Sequence, residues 1–153
     1  ALFERQKVLS KEEVESRYEI LMDEYEKQIN IEALTMLDIA KKDILPAASK
    51  FSKELTDTIA NKKAIGIDLT YELETAKKVS EYLTEAYQAM MTLENDVKKL
   101  HEIDDFEKSA FYVRDFIIQD MANLRKPCDE LEVITSNSDW PFPTYGKLLF
   151  GIQ

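Results

Sequence analysis

Apolar residues recur at helical spacing along most of this 153-residue chain. Between Asp68 and His101 the steps alternate between three and four residues. This is a heptad pattern over more than three heptads, formed by Ala76, Val79, Leu83, Ala86, Met90, Leu93, Val97 and Leu100. A second stripe consists of Phe106, Ala110, Val113, Ile117, Met121, Leu124, Cys128, Leu131 and Ile134. Because no strand-like alternation occurs, the pattern predicts an all-α fold.

Helix breakers lie far apart in the sequence, which has only three glycines and four prolines. Breakers this sparse favour a few long helices. We predict three, over residues 10–64, 68–101 and 104–136. Short turns make consecutive long helices antiparallel neighbours, so the predicted architecture is an antiparallel up-down-up bundle. The whole chain, residues 1–153, is predicted to be a single helical domain.

Capping sequences and one proline set the predicted helix starts and bends. Residues 10–13 (Ser-Lys-Glu-Glu) have capping-box form, in which the Ser and Glu side chains satisfy backbone N–H groups of the first turn. Residues 104–107 repeat this form, and Asp68 is the expected N-cap of the second helix. Pro46 removes a backbone donor, so we expect the first helix to be kinked or broken there. Residues 1–9 are either a linker or part of the first helix.

Residues 29–45 differ from the rest of the first helix. Their apolar side chains cover most of the helix circumference, and a helix that is apolar all round is buried on several sides. We therefore predict this segment to be the buried centre of the domain, packed against the C-terminal tail or another protein surface.

The tail, residues 137–153, follows a long run of helix-forming residues and contains two of the four prolines and the single tryptophan. Proline geometry excludes helix from Trp140 to Pro143, so the tail is predicted to be extended. An apolar, extended tail on an acidic helical protein must dock, on its own domain or on a partner. Its predicted docking residues are Trp140, Phe142, Tyr145, Leu149 and Phe150.

Charge and cysteine content limit the classes of partner. Lys and Arg number 20 against 30 Asp and Glu, giving a net charge of −10, which disfavours nucleic acid and anionic membrane. One cysteine excludes an internal disulfide and fits a reducing compartment. No apolar run approaches the roughly 20 residues that span a bilayer, so a cytoplasmic location is expected.

Candidate catalytic chemistry is sparse. A carboxylate-bridged metal site needs Glu-x-x-His pairs, and His101 is the single histidine, with an expected role at the C-cap of the second helix. Cys128 is expected to be a small buried hydrophobe. Glu32 and Asp38 are six residues apart and are expected to be two separate exposed or hydrogen-bonded acids. Without a phosphate loop or nucleophile elbow, we predict no catalytic, cofactor-binding or metal-binding residue.

Two blocks of sequence resemble the C-terminal helical region of type III glutamine synthetases. The resemblance is carried by residues 17–25, 29–40 and 44–47 in the first block, and 113–115, 129–132, 140–146 and 148–150 in the second. Its most specific signals are the runs Asn-Ile-Glu-Ala-Leu-Thr-Met and Trp-Pro-Phe-Pro-Thr-Tyr. Residues 51–108 match only in length and helical character.

The resemblance implies a parent enzyme that joins ammonia to glutamate with ATP and divalent metal in an assembly of stacked rings. The catalytic motifs of that family are missing from this chain, so the resemblance implies a non-catalytic structural and oligomerisation domain. Its expected partners are the catalytic domain of the same polypeptide and neighbouring subunits of a homo-oligomer. ATP and metal are expected only in the catalytic domain.

Two other functions remain open at this point. The first is a free-standing acidic bundle that binds a partner protein or senses a small ligand, with the heptad seam of the second helix used for self-association. The second is a small enzyme, which would need a convergent polar pocket inside the bundle.

Overall fold

The computed structural model describes residues 9–151, apart from the side chain of Tyr145. All regular structure in this range is helical, which confirms the predicted all-α class. Residues 1–8 lie outside it, so the expectation of a linker or helix there stays a prediction. The helices are α1 (Lys11–Ile39), α2 (Leu45–Ala64), α3 (Thr70–Leu100), α4 (Phe106–Tyr112), α5 (Ile118–Ile134) and α6 (Tyr145–Phe150), with π-helical turns at Ala40–Ile44 and Val113–Ile117.

Side-chain caps begin α1 and α4. The Ser10 hydroxyl accepts a hydrogen bond from the Glu13 backbone N–H at 3.2 Å, and the Glu13 carboxylate accepts from the Ser10 N–H at 2.7 Å. This is the predicted capping box. The cap of α4 is Asp105, one residue later than predicted, and it accepts from the Lys108 N–H at 2.9 Å. Asp104 and Asp105 have the same type of side chain, so the residue at which the helix starts decides which of them is the cap.

The start of α3 also differs slightly from its prediction. Leu69 occupies the N-cap position, one residue after the predicted Asp68. Asp68 still supports the first turn, because its carboxylate accepts a hydrogen bond from the Thr70 hydroxyl at 2.9 Å. This hydrogen bond lowers the pKa of Asp68 below its ordinary value.

The helical backbone is continuous from α1 through Pro46 to α2. The π-helical turn Ala40–Ile44 lies directly before this proline, and the Leu45 N–H reaches back to the Ala40 carbonyl. A proline cannot donate and crowds the carbonyl one turn earlier, so a widened turn at this position is physically reasonable. The helix therefore does not break at Pro46; the predicted kink of its axis stays a prediction.

The core is built on the stripe of α3. Its members Val79, Ala86, Met90, Leu93, Val97 and Leu100 are all buried. Helix α3 packs most extensively against α5 and α2, while α1 packs against α4. The buried residues of α5 and its preceding turn are Val113, Ile117, Leu124, Pro127, Cys128 and Leu131. One helix thus supplies the apolar surface that two others cover.

Polar contacts connect α3 to the continuous helical segment that runs from α1 through α2, which we call the first helical stretch. The side chains of Asn30 and His101 lie 3.2 Å apart. Lys41 pairs with Glu94 at 2.7 Å. Further along, the Lys62 ammonium lies 2.5 Å from the Glu72 carboxylate. As the residue number rises along the first helical stretch, the residue number of the partner on the α3 side falls, so the contacts follow opposite orders along the two segments.

The structure corrects two expectations. Residues 29–45 bury only one face, through Ala33, Leu37 and Ala40, so this segment is not a buried centre. The neighbouring α3 and α5 cover one side of the helix and leave the rest uncovered. The tail is also not extended throughout, because α6 follows Thr144, whose hydroxyl accepts from the Lys147 N–H, and ends at the left-handed Gly151.

We expect Leu131→Ala to destabilise the protein by about 2–5 kcal/mol, because its side chain is fully buried and truncation leaves a cavity. Val133→Ala is the matched control: Val133 is on the same helix but 80% exposed, and its loss should cost less than about 0.5 kcal/mol. Urea denaturation of both variants would measure this. Equal losses at the two positions would contradict the packing described for α5.

Candidate docking surfaces

The first candidate surface is an apolar stripe on α1. It consists of Val14, Tyr18, Leu21 and Tyr25, which are spaced at helical intervals and are all exposed, Leu21 by 64%. A stripe of this kind normally faces a core, and scattered exposed apolar residues would not show helical spacing. We call these four residues the α1 stripe.

Aromatic residues around α4 extend the α1 stripe. The rings of Tyr18 and Phe106 meet edge to face, with centroids 6.4 Å apart. The Arg114 guanidinium lies 4.9 Å from the centroid of the Phe111 ring and forms hydrogen bonds with both carboxylate oxygens of Asp115. Phe106 and Phe111 remain exposed. Aromatic residues and arginine are enriched at protein interfaces, and this surface presents two exposed aromatic rings and Arg114.

The second candidate surface is a groove of about 640 Å³ between α1 and α5, which we call the α1–α5 groove. It crosses the π-helical turn at Ala40–Ile44, and such turns are frequent at functional sites. Its walls are mainly apolar, with Glu32, Arg125 and Asp129 as its charged residues. The remaining lining residues are Ile31, Thr35, Met36, Ile39, Ala40, Ile44, Met121, Leu124 and Cys128.

The start of the tail is held on its own domain. Trp140 packs against the core and meets Phe142 edge to face at 6.1 Å. Lys50 of α2 lies 2.7 Å from the Asp139 carboxylate, which also accepts a hydrogen bond from the Ser136 hydroxyl. The hydrogen bond from Lys50 is the main cause that lowers the pKa of Asp139.

The end of the tail is exposed. Leu149 is 72% exposed and Phe150 is 73% exposed, so neither docks on its own domain. The side chain of Tyr145 lies outside the described part of the structure. Of the five predicted docking residues, the structure therefore brings only Trp140 and Phe142 together. The docking role of all five stays a prediction.

A partly buried polar cluster joins α3 to α4 and α5, and no pattern in the sequence indicated it. The Asp96 carboxylate accepts from the Tyr112 hydroxyl at 3.0 Å and lies 2.5 Å from the Lys99 ammonium. Burial alone would raise the pKa of Asp96, but hydrogen bonds from Lys99, Asp120 and Tyr112 lower it. Burial and the neighbouring Asp96 raise the pKa of Asp120 to about 6. No sequence spacing relates two acids 24 positions apart.

The other predicted residues occupy separate places. His101 is the C-cap residue of α3. Cys128 is buried, which raises the pKa of its thiol to about 11 and keeps it neutral. Glu32 accepts a hydrogen bond from Gln28, and Asp38 pairs with Lys42, so the two acids are separate and exposed as predicted.

Among residues 9–151, no group of three or more His, Cys, Asp or Glu side chains is arranged to hold a metal ion. In the same range, no helix has the length and hydropathy to cross a bilayer.

Comparison with known proteins identifies the family. Residues 1–63 match the family model of the glutamine synthetase C-terminal domain. A glutamine synthetase of Butyrivibrio fibrisolvens is 34% identical over 154 residues, covering 99% of this chain and 22% of that protein. A type-3 glutamine synthetase of Dictyostelium discoideum is 30% identical over 159 residues, covering 97% and 21%. This chain belongs to the glutamine synthetase C-terminal domain family.

The resemblance drawn from the sequence is thereby confirmed. A glutamine synthetase of Bacteroides fragilis is also similar, with 23% identity over 151 residues, 95% of this chain and 21% of that protein. The chain therefore spans about a fifth of the length of the glutamine synthetases that it matches.

Within this glutamine synthetase C-terminal domain, we expect Trp140→Ala to cost about 3 kcal/mol of stability, because the ring packs against the core. Phe150→Ala should cost less than about 0.5 kcal/mol, because Phe150 is exposed. Urea denaturation measures both. A Trp140 variant as stable as the Phe150 variant would contradict the anchoring of the tail.

Asp120→Asn should change how the stability of the domain depends on pH. The folded state raises the pKa of Asp120 from 3.8 to about 6, so it binds this proton more tightly than the unfolded chain does. The contribution of Asp120 to stability is therefore complete below about pH 4 and is lost as the pH rises through about 6. At pH 8 the variant should be more stable by on the order of 1 kcal/mol.

The measurement is urea denaturation from pH 4 to pH 8 on the natural chain and the variant. Asp104→Asn, at an exposed position before α4, is the control and should keep the loss of stability through about pH 6. The same pH profile in the Asp120→Asn variant as in the natural chain would contradict the raised pKa of Asp120.

Proposed function

We infer that this chain is the C-terminal helical domain of a type III glutamine synthetase and that its role is structural. It packs against the catalytic domain of the parent polypeptide and contributes to contacts between subunits of a homo-oligomer. The family supports this proposal, as does the small share of each relative that the chain spans. One of those relatives is itself named a type-3 enzyme.

The observation that carries the structural role is the exposed α1 stripe. The chain has a net charge of −10, yet a helical face of Val14, Tyr18, Leu21 and Tyr25 stands open to solvent. An exposed apolar face with this regular spacing supports a contact with another protein surface. The catalytic domain of the same polypeptide is the partner that the family membership suggests.

The architecture is consistent with this role. The opposite order of contacts between the first helical stretch and α3 supports an antiparallel arrangement of these two segments. The full proposal is an antiparallel bundle of three long helices with a bend near Pro46. The predicted domain, residues 1–153, would act as one rigid unit with the docking tail at its end. Rigid, well-packed helices are a suitable support for an assembly.

The chemistry of the parent enzyme would reside outside this chain. The glutamine synthetase reaction needs ATP and divalent metal, and we place both in the catalytic domain. This chain would then have no ligase activity by itself and would act in the cytoplasm. The described residues supply packing surfaces, a buried acid pair and a neutral thiol.

The alternative of a free-standing interaction module loses its proposed surface. That alternative used the heptad seam of α3 for self-association. The seam is buried inside the chain, with Val79, Ala86 and Leu93 fully covered. We therefore favour the domain of a larger enzyme.

The test uses the full-length parent enzyme with Leu21→Asp in this domain. Leu21 is 64% exposed, so the variant should keep the stability of the isolated domain. In the parent, burial of a charge at the contact should reduce the assembled fraction at least tenfold, measured by native mass spectrometry, and the ligase activity with it.

Ile65→Asp is the control, because Ile65 is 71% exposed in the turn after α2 and outside the α1 stripe. It should leave assembly and activity unchanged. If both variants assembled normally, the α1 stripe would not be the contact and the proposal would fail. If both were equally defective, the effect would be one of added charge and would also contradict it.

A further inference from the structure

The α1–α5 groove has the properties of a receptor for a short apolar segment. Leu124 and Cys128 are buried in its floor, and Met36, Ile39 and Met121 form partly covered walls. Its volume of about 640 Å³ accommodates a few large apolar side chains. The charged residues at its rim are Glu32, Asp129 and Arg125, which together carry one net negative charge.

The end of the tail has the complementary properties. Leu148, Leu149 and Phe150 lie together on α6 and are all exposed, with Lys147 directly before them. Lys147 is the single charged residue between Trp140 and Gly151. The segment therefore offers three apolar side chains and one positive charge.

The net negative charge at the groove rim is complementary to the positive charge of Lys147 in the tail. Arg125 pairs with Asp129 at 3.2 Å, and Asp129 is thereby neutralised. Glu32 receives a hydrogen bond from the neutral amide of Gln28, which leaves its charge uncompensated by that contact. A lysine that enters this rim beside apolar side chains would meet that charge, and complementary charge fixes orientation at an interface.

We propose that the α1–α5 groove of one copy binds the tail segment 147–150 of a second copy, with Leu149 and Phe150 in the groove and Lys147 beside Glu32. Each copy gives one tail and receives one, so the contact closes into a reciprocal dimer or a ring. The inference deepens the subunit-contact role proposed above and rests on it.

The structure favours binding of the tail to the groove of a second copy over binding to the groove of the same chain. Trp140 and the Lys50–Asp139 ion pair hold the start of the tail on its own domain. With the tail held there, Leu149 and Phe150 stay in solvent and do not enter the groove of the same chain. A chain that has both exposed apolar side chains and an open apolar groove buries more apolar surface when the tail of one copy enters the groove of another.

Sedimentation equilibrium of the full 153-residue chain tests the proposal. A short segment supports only a weak contact, with a dissociation constant of roughly 10–100 µM for the natural chain. Leu149→Asp should weaken self-association at least tenfold, because a charge would enter the apolar groove. Val133→Asp places the same charge at an exposed site on α5 and should leave the constant unchanged.

Charge reversal identifies the partners. Lys147→Glu and Glu32→Lys should each weaken association about threefold to tenfold, and the double variant should recover most of the loss. An equimolar mixture of the Leu149→Asp and Glu32→Lys chains should form mixed dimers, because one intact tail then meets one intact groove.

Several results would overturn the proposal. A natural chain that stays monomeric up to about 200 µM excludes the contact, since that is above the expected constant. Self-association without recovery in the double variant excludes this groove as the receptor. If the mixed chains did not associate and each chain bound its own tail, the tail would occupy the groove of the same chain. In each case the Leu21→Asp result on the parent enzyme is independent, so the structural role can stand while tail exchange fails.

Discussion

Burial of the apolar stripe on α3 is the interaction on which the rest of this structure depends. The heptad spacing places Val79, Ala86, Met90, Leu93 and Val97 on one side of a 31-residue helix. That side is wide enough for α2 and α5 to pack on it together. The stripe is buried inside the chain, so it is not available to a partner. Exposed large apolar residues lie on several helices, with the largest number on α1, and they include Tyr71, Leu73, Tyr87 and Met91 on α3.

The polar contacts then select one arrangement of helices that apolar packing alone would leave open. Lys41 with Glu94 and Lys62 with Glu72 fix how the first helical stretch lies along α3. The Asp96 carboxylate of α3 accepts a hydrogen bond from the Tyr112 hydroxyl and so connects α3 to α4. Most of these groups are partly exposed, so each contact adds little to the free energy of unfolding. Their main effect is to specify how the helices align with one another, which is a well-attested role of polar groups near a core.

Two features support the proposed role in assembly. Among residues 9–151, polar side chains lie along the contacts between helices. Exposed apolar surface is distributed over a helical stripe, an open groove and the end of the tail. The chain accounts for about a fifth of its relatives' length, and we propose that these surfaces are covered by other parts of a larger protein.

The sequence by itself determined the all-α class, the capping box at Ser10, the burial of Cys128 and the family, because periodicity and capping are local properties. Tertiary structure decided which apolar faces are covered, because burial depends on neighbours distant in sequence. It left one face of residues 29–45 uncovered, exposed Leu149 and Phe150, and brought Asp96 and Asp120 together across two helices. No spacing rule could reveal that acid pair, since only the packing of α3 on α5 brings its members into contact.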